Sequence, residues 1–407
     1  MNDIHHIRSQ FRALERVHGG RNVAYFDGPG GTQVPEAVVD AVADYLRHHN
    51  ANTHWNYPTS NETDEMLLDA RSTLATFLNA RVEEVVFGAN MTTLTFHLSR
   101  ALGRSWGEGR EVVITELDHH GNVAPWQALA KERGIRLRSI PLDPATGQLQ
   151  LDRLDDIITD KCKLVAIGAA SNALGTVSDL QTVIAHARAV GALVMIDAVH
   201  YAPHFLVDVG ALQCDFLACS AYKFYGPHVG ILFVRQPLLD TLDVPKLEPA
   251  PNVGPERLET GTLNHEGIIG AAAAVRFLAS LGAGDTPRAQ LESAFAGLHE
   301  RAQNQVRRMW EGLNEIPRVR TYGPDPAQRR TPTISFTMDG MNAGDVASRL
   351  AERGVFVSHG DFYAQTVIER LGFAQAGVVR AGCACYTSDD DVSALLAGVR
   401  EVAEGLR

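Results

Sequence analysis

The sequence of 407 residues lacks the features that mark several large classes of protein. No apolar run is long enough to cross a bilayer, so we do not expect a membrane protein. The first 20 residues are polar and amphipathic, without the apolar core of a signal peptide, which predicts a cytoplasmic location. No run rich in lysine and arginine offsets the formal net charge of -11, so nucleic acid is not an expected partner.

Cysteine is also scarce. The five residues are Cys162, Cys214, Cys219, Cys383 and Cys385. Their number is odd and four of them lie in or beside apolar stretches, which favours buried thiols over disulfides. No CxxC pair is present, and the adjacent His119 and His120 would point apart at a strand end. We therefore predict no metal site.

What the sequence does contain is a regular alternation of short apolar segments with amphipathic helical ones. Seven strand candidates span residues 84–88, 111–115, 136–140, 163–168, 192–197, 215–219 and 230–234. This alternation predicts an α/β fold with a seven-stranded, mostly parallel sheet and helices on both faces.

The alternation of short strands and helices ends at about residue 282. A long charged helix is predicted for residues 286–313, and the strands and helices that follow predict a smaller C-terminal α+β domain. We predict three units: an N-terminal segment, 1–34, that packs with the small domain; a large domain, 35–282; and the small domain, 283–407. Residues 320–332 are predicted to form a turn-rich surface loop.

Polar side chains follow four of the predicted strands, at the edge where ligands of parallel α/β sheets bind. In chain order they are Glu116, His119, His120, Asn122 and Trp126; Ser171, Asn172 and Gly175; Asp197 and His200; and Ser220, Tyr222 and Lys223. An acid, a base, an amide and a lysine are therefore expected at one edge of the sheet.

A lysine beside a carboxylate indicates pyridoxal phosphate chemistry. Lys223 would carry the cofactor, and Asp197 would keep the pyridine nitrogen protonated so that the ring can accept electrons. A histidine could stack on the ring. The phosphate could bind where a strand gives way to a helix, at Asn90, Met91 and Thr92.

These motifs resemble those of the class V aminotransferase branch of the fold-type I pyridoxal-phosphate enzymes, near the cysteine desulfurases and selenocysteine lyases. The resemblance runs from YFDGPGGTQVP (residues 25–35) to VVRAGCACYTSDDDV (residues 378–392). It implies the fold-type I architecture, pyridoxal 5'-phosphate as cofactor, an amino acid as substrate, and a homodimer with active sites at the interface.

The same resemblance implies roles around the cofactor ring. DHHGNVAPW implies that His120 stacks on the ring, and SNALGT implies that Asn172 approaches the ring hydroxyl. DAVH implies Asp197 at the ring nitrogen and His200 near the ring hydroxyl. SAYKFYGPHVG marks Lys223 as the attachment point, so Lys223, His120 and Asp197 would be the catalytic residues.

Further roles concern the phosphate and the substrate. Ser220 and Tyr222 would face the phosphate, and many members of the family have a histidine where Tyr222 stands. LETGTLNHEGI resembles a segment that reaches across a dimer interface, so Thr262 would touch the partner's phosphate. Arg380 matches the arginine that clamps the substrate carboxylate. Asn172 and the backbone of Gly31, in the GPGG turn, would also approach the substrate.

One departure from the family bears on the reaction. Desulfurases carry a nucleophilic cysteine on a loop before the arginine, whereas GVFVSHGDFYAQ (residues 354–365) contains no thiol. Aligned on its glycine, the cysteine position holds Tyr363. His359, Asp361 or Tyr363 could instead act as an acid or base near the β-carbon.

Several reactions remain open at this point. The leading hypothesis is direct β-elimination of the C–S lyase type, without a persulfide on the enzyme. Transamination and epimerisation are the alternatives. A Ser/Lys acyl enzyme using the SxxK pattern of Ser220 and Lys223 is a further class, although that pattern needs a helix. The last alternative is a protein that binds the cofactor but catalyses no reaction.

Overall fold

The structure is a computed structural model that describes residues 3–406. Its large sheet has seven strands, as the sequence predicts. In spatial order they are Val85–Gly88, Gly230–Val234, Phe216–Ser220, Leu193–Asp197, Cys162–Gly168, Glu111–Thr115 and Arg136–Ile140. Gly230–Val234 runs antiparallel to both of its neighbours, and the other pairings in this sheet are parallel. The prediction of a mostly parallel sheet is confirmed.

Helices pack on both faces of the large sheet. Successive residues of a strand point to opposite faces, so Val113 belongs to one apolar cluster while Val112 and Ile114 belong to another. Because both faces are buried, the strands are apolar throughout rather than alternating. Around this sheet the helices are Glu36–Asp44, Pro58–Leu78, Met91–Gly103, Ala124–Arg133, Leu154–Ile157, Leu180–Ala189, Val209–Leu212, Gln236–Leu239 and His265–Ser280.

The C-terminal part of the chain forms a second, four-stranded antiparallel sheet. Its strands, in spatial order, are Val319–Tyr322, Thr333–Met338, Val378–Gly382 and Ser358–Gly360. Its helices are Pro287–Asn314, Ala343–Ala351, Gln365–Arg370 and Asp389–Glu404. The strand Val378–Gly382 ends just before Cys383, so Cys383 and Cys385 lie beyond it. All five cysteines are free and buried, as predicted.

The N-terminal segment contacts this second sheet region. The helix Ile4–Arg8 places Arg8 Nη1 2.6 Å from the carboxylate of Asp391. The short strand Ala24–Tyr25 pairs in parallel with Val355–Phe356. The three-unit division at residues 34 and 282 is kept as a proposal.

Residues 320–332 contain the predicted turn-rich loop, because residues 323–329 form turns and bends with Asp325 and residues 327–329 exposed, but the two ends of the segment differ from the prediction. The segment begins within a strand, and Arg330 is fully buried at the junction between the two sheets. Its Nη2 atom donates to the carbonyl oxygens of Leu174 (3.0 Å) and Thr333 (2.5 Å), and its guanidinium lies over the ring of Trp310. Gly175 has φ +77°, and a Cβ there would lie 2.6 Å from the carbonyl oxygen of Thr333, so the junction is tightly packed.

Within residues 3–406, no helix combines the length and the apolar character needed to cross a membrane. The same residues contain no group of three or more histidine, cysteine, aspartate or glutamate side chains arranged to hold a metal ion.

Candidate active site

A cavity of about 380 Å³ lies at the carboxyl ends of the parallel strands. Nine of the residues predicted from the sequence line it: Asn90, Met91, Thr92, Asn172, Asp197, His200, Ser220, Tyr222 and Lys223. They come from separate strand ends, which meet here because parallel strands share one carboxyl edge. His119 and His228 line the same cavity and were not assigned a role in advance.

Lys223 lies in the short turn Ala221–Lys223, directly after the strand Phe216–Ser220. Its side chain is buried, and burial lowers the pKa of its amine to about 7; the nearby charge of Arg380 adds to this, while Asp197 opposes it. The amine donates hydrogen bonds to the carbonyl oxygens of Pro29 and Gly30, the latter at 3.0 Å. The GPGG turn therefore does approach the reactive amine. At neutral pH a large fraction of this amine is uncharged and nucleophilic.

Two buried carboxyl groups lie near each other at this edge. Asp197 ends the strand Leu193–Asp197, and burial raises its pKa to about 6, although the backbone N–H of Val199 (2.9 Å) favours the ionised form. Asp118 accepts hydrogen bonds from the backbone N–H groups of Gly168 and Thr115. Burial and the charge of Asp197 raise the pKa of Asp118 to about 8. At neutral pH Asp197 is mostly ionised and Asp118 mostly protonated.

The structure corrects the choice between the two adjacent histidines. The side chain that lines the cavity is that of His119, and His120, to which the ring-stacking role was given, is not among the lining residues. His120 begins the short turn His120–Asn122 and contributes its backbone N–H, which donates to the carbonyl oxygen of Tyr363 at 2.7 Å. The ring-stacking role is therefore better suited to His119.

The protonation of His119 follows from its contacts. Its Nδ1 accepts a hydrogen bond from the backbone N–H of Gly121 at 2.9 Å, so the neutral ring carries its proton on Nε2. Burial lowers the pKa of His119 to about 4, and the charges of Lys223 and Arg380 add to this. At neutral pH His119 is thus an uncharged ring with one N–H donor. His200 is also kept neutral, because burial lowers its pKa well below the ordinary value.

The predicted phosphate-binding residues surround the start of the helix Met91–Gly103. Asn90 caps this helix, its Oδ1 accepting from the N–H of Thr93 at 2.9 Å. The N–H of Met91 donates to Ser220 Oγ at 3.0 Å, which ties the helix start to the end of the lysine-bearing strand. Since the first amides of a helix have no acceptor within it, this end suits an anion. Thr262, by contrast, is exposed and lines neighbouring surface cavities rather than this one.

The predicted substrate clamp lies on the opposite side, from the small sheet. Arg380 is buried; its Nη1 donates to the carbonyl oxygen of Asn172 at 2.9 Å. Burial lowers the pKa of Arg380 to about 9, which leaves it cationic at neutral pH. Among the described residues, Arg380 Nε and Asn172 Oδ1 have no hydrogen-bond partner. Buried polar atoms of this kind are expected to pair with a ligand. Gly31 lies against Tyr222, since a Cβ at Gly31 would come 3.3 Å from that ring.

The loop that precedes Arg380 is held against the cavity. Phe362 and Tyr363 are consecutive residues in the left-handed region, with φ of +57° and +55°, a strained conformation for non-glycine residues. Asn172 Nδ2 donates to the carbonyl oxygen of Phe362 at 2.9 Å, and the Phe362 ring lies 4.0 Å from the guanidinium carbon of Arg380. Tyr363 is 73% exposed, and its ring centroid lies 5.6 Å from that of His119. Asp361 is exposed on the same loop and accepts a hydrogen bond from the Tyr363 N–H at 2.9 Å, while His359 is exposed in the strand Ser358–Gly360.

These groups together fit a phosphorylated pyridine aldehyde. A buried amine of lowered pKa can bond covalently to the aldehyde, an ionised carboxyl can pair with the ring nitrogen, and a neutral imidazole can stack on the ring. The helix start, Ser220 and Tyr222 suit the phosphate. The unpaired Asn172 Oδ1 and Arg380 Nε leave polar positions for cofactor and substrate.

Comparison with known proteins agrees with this fit. Residues 24–395 match the family model described as aminotransferase class V. The sequence is 34% identical over 420 residues to a cysteine desulfurase of Serratia proteamaculans (strain 568), covering 98% of each protein. The fold is similar to the apo structure of a cysteine desulfurase from Thermococcus onnurineus NA1, with a TM-score of 0.90, 29% identity, and 100% and 99% of the two chains covered. It is also similar to the cysteine desulfurase CsdA (S-sulfonic acid) from Escherichia coli, with a TM-score of 0.86, 27% identity, and 100% of both chains covered.

Proposed function

The chain belongs to the class V aminotransferase family as a cysteine desulfurase-like enzyme that uses pyridoxal 5'-phosphate, and from this premise we propose that it is a β-eliminating C–S lyase acting on an amino acid. The observation that carries the proposal is the loop before Arg380. Residues 354–365 contain no cysteine, and the backbone of the loop is hydrogen-bonded to His120 and Asn172.

The bound cofactor supplies an electron sink for the electrons of the bond that breaks at the α-carbon. Asp197, ionised at neutral pH, holds a proton on the ring nitrogen and so maintains that sink. Lys223 would hold the cofactor and, with its amine free, would remove the α-proton of the substrate. Its lowered pKa leaves it uncharged and basic at neutral pH.

Arg380 orients the substrate by its carboxylate. Its Nη1 donates to the Asn172 carbonyl oxygen, whereas the buried Nε has no partner and is available to the ligand. The ring of Phe362 covers one face of the guanidinium and excludes water from that side. Carboxylate recognition there would place the substrate β-carbon toward the loop that carries Tyr363.

The β-elimination step balances without an enzyme thiol. The α-proton goes to Lys223, the C–S bond at the β-carbon breaks, and the sulfur leaves with the bond's electron pair. The Tyr363 hydroxyl donates a proton to that sulfur. The enamine that is left is hydrolysed by water to pyruvate and ammonia. A desulfurase would instead transfer sulfur to a cysteine and release alanine.

The test is to incubate the purified holoenzyme with a panel of amino acids that includes cysteine and S-substituted cysteines. Pyruvate, ammonia and a thiol in equal amounts are expected, with Lys223→Ala as the inactive control. Alanine as the main product, with persulfide on the protein, would refute elimination. A keto acid that keeps its β-substituent would indicate an aminotransferase, and a D-amino acid would indicate an epimerase.

The same experiment separates the two remaining classes. A protein that only binds the cofactor would form no product from any member of the panel. An acyl enzyme would hydrolyse esters without the cofactor. The contacts disfavour this last class, because Ser220 Oγ accepts from the Met91 N–H while the Lys223 amine donates to Pro29 and Gly30.

The proposal includes a homodimer with the active sites at its interface. Thr262 lies on the surface with three exposed apolar residues, Trp55, Leu68 and Leu247, which are 60%, 62% and 61% exposed. An apolar patch of this kind is typical of a surface that another chain covers. A second copy would bring Thr262 toward its partner's phosphate. A cytoplasmic location remains a prediction.

A further inference from the structure

We propose that His228 binds the cofactor phosphate. This inference rests on the cofactor and not on the reaction proposed above. His228 lies five residues after the attachment lysine, in the sequence KFYGPH, and its side chain lines the same cavity as Lys223.

The position of His228 is set by two packing contacts. Its ring stacks on that of Tyr222, with centroids 4.8 Å apart and planes at 12°. Two residues further on, the backbone of Gly230 passes so close to Asn90 that a Cβ would lie 2.5 Å from the Asn90 carbonyl carbon. Asn90 is the cap of the helix Met91–Gly103, so His228 is held beside the helix start where the phosphate fits.

The charge requirement singles out His228 by elimination. A phosphate dianion in a partly buried site needs a positive partner. Among the described residues that line the cavity there is no arginine, and the amine of Lys223 is consumed when the cofactor is attached. Burial keeps His119 and His200 neutral at physiological pH. His228, exposed at the rim of the cavity, is the remaining basic side chain of the lining.

Tyr222 and His228 would then act as a pair on the phosphate. The Tyr222 hydroxyl offers a neutral donor, and its ring keeps the imidazole of His228 at a fixed distance and orientation. The Lys223 amine lies 5.0 Å from the Tyr222 centroid, which places both phosphate ligands close to the attachment point.

The test compares two probes on the full-length protein freed of its cofactor: pyridoxal 5'-phosphate and pyridoxal, which lacks the phosphate. Binding is followed by the absorbance of the cofactor bound to Lys223, without any substrate. His228→Phe keeps a ring stacked on Tyr222 but removes the N–H donor of the imidazole. His6→Phe, at an exposed position in the helix Ile4–Arg8, is the matched control.

For His228→Phe we expect the dissociation constant of pyridoxal 5'-phosphate to rise at least about tenfold, the size of a charge-assisted hydrogen bond. The dissociation constant of pyridoxal should stay within about twofold, which also shows that the variant is folded. Unchanged binding of pyridoxal 5'-phosphate would overturn the inference, because stacking alone would then suffice. An equal loss for both probes would overturn it too, since His228 would not be acting on the phosphate. Neither result depends on which reaction the enzyme catalyses.

Discussion

Replacing Asp197 by asparagine isolates the charge at the ring nitrogen from the shape of the site. Asp197 Oδ1 accepts from the N–H of Val199, and an asparagine oxygen can keep that hydrogen bond. The side chain is 7% exposed, so little water is available to substitute for the lost charge. The neutral amide cannot hold a proton on the pyridine nitrogen, and the electron sink is weakened as a result.

The expected loss of rate follows from the burial of the ion pair between the Asp197 carboxylate and the protonated ring nitrogen. Removing one partner of a buried ion pair costs about 3–5 kcal/mol. At about 1.4 kcal/mol for each factor of ten, the step that breaks the α-carbon bond should slow by roughly 10²- to 10⁴-fold.

The assay is exchange of the substrate α-proton for deuterium, followed by NMR with the amino acid that the panel identifies. This exchange reports proton removal whatever reaction comes next. Asp118→Asn is a matched control, because the carboxyl of Asp118 has its pKa raised to about 8 and is already mostly neutral at pH 7. The control should exchange within about tenfold of wild type. An Asp197→Asn rate equally close to wild type would refute the role of Asp197.

Four further predictions concern single features of the molecule. Lys223→Ala should abolish turnover while the cofactor still binds non-covalently, as seen by dialysis and absorbance; retained activity would rule out Lys223 as the attachment point. The pKa of Asp118 is raised from 3.8 to about 8, so between these values the folded state holds a proton that the unfolded chain loses. The free energy of unfolding should therefore fall as the pH rises from 4 to 8, by at most about 1.4 kcal/mol per pH unit. Thermal denaturation of Asp118→Asn should show a flatter dependence on pH. Cys383→Ala combined with Cys385→Ala should leave turnover of S-substituted cysteines within about threefold, because burial raises the pKa of both thiols and keeps them unreactive; a large loss would revive a sulfur-carrying role. Light scattering should show a dimer, and a fully loaded monomer would contradict a role for Thr262 across the interface.

The sequence predicted the sheet and most of the cavity because both depend on simple periodicities. Apolar segments of strand length separated by amphipathic helices leave few arrangements other than a parallel sheet. Once the strands are placed, their carboxyl ends must meet, so Asn172, Asp197 and Lys223 could be brought together without knowledge of any contact.

What could not be predicted depends on the direction of one side chain or on the depth of burial. His119 and His120 differ by a single residue, and the turn that begins at His120 decides which ring enters the cavity. In the sequence Asp118 resembles an ordinary solvated acid, and only the structure shows that its carboxyl is buried and hydrogen-bonded to the backbone of Gly168 and Thr115. Arg330 lies among turn-forming residues, and only the packing of the two sheets shows that it is fully buried.

The backbone of residues 362 and 363 has a consequence for protein engineering. Converting this enzyme into a sulfur carrier by Tyr363→Cys would place a thiol on a segment whose carbonyl groups are anchored to His120 and Asn172. A carrier thiol must travel from the substrate to an acceptor, and a tethered segment in a strained conformation has little freedom to do so. The step from one chemistry to the other would therefore require releasing the tether as well as exchanging the side chain. Substitutions at Asn172 to free the loop would in turn disturb the cofactor pocket. Several neighbouring positions would have to change together. A single substitution at Tyr363 would therefore not convert a C–S lyase into a sulfur carrier.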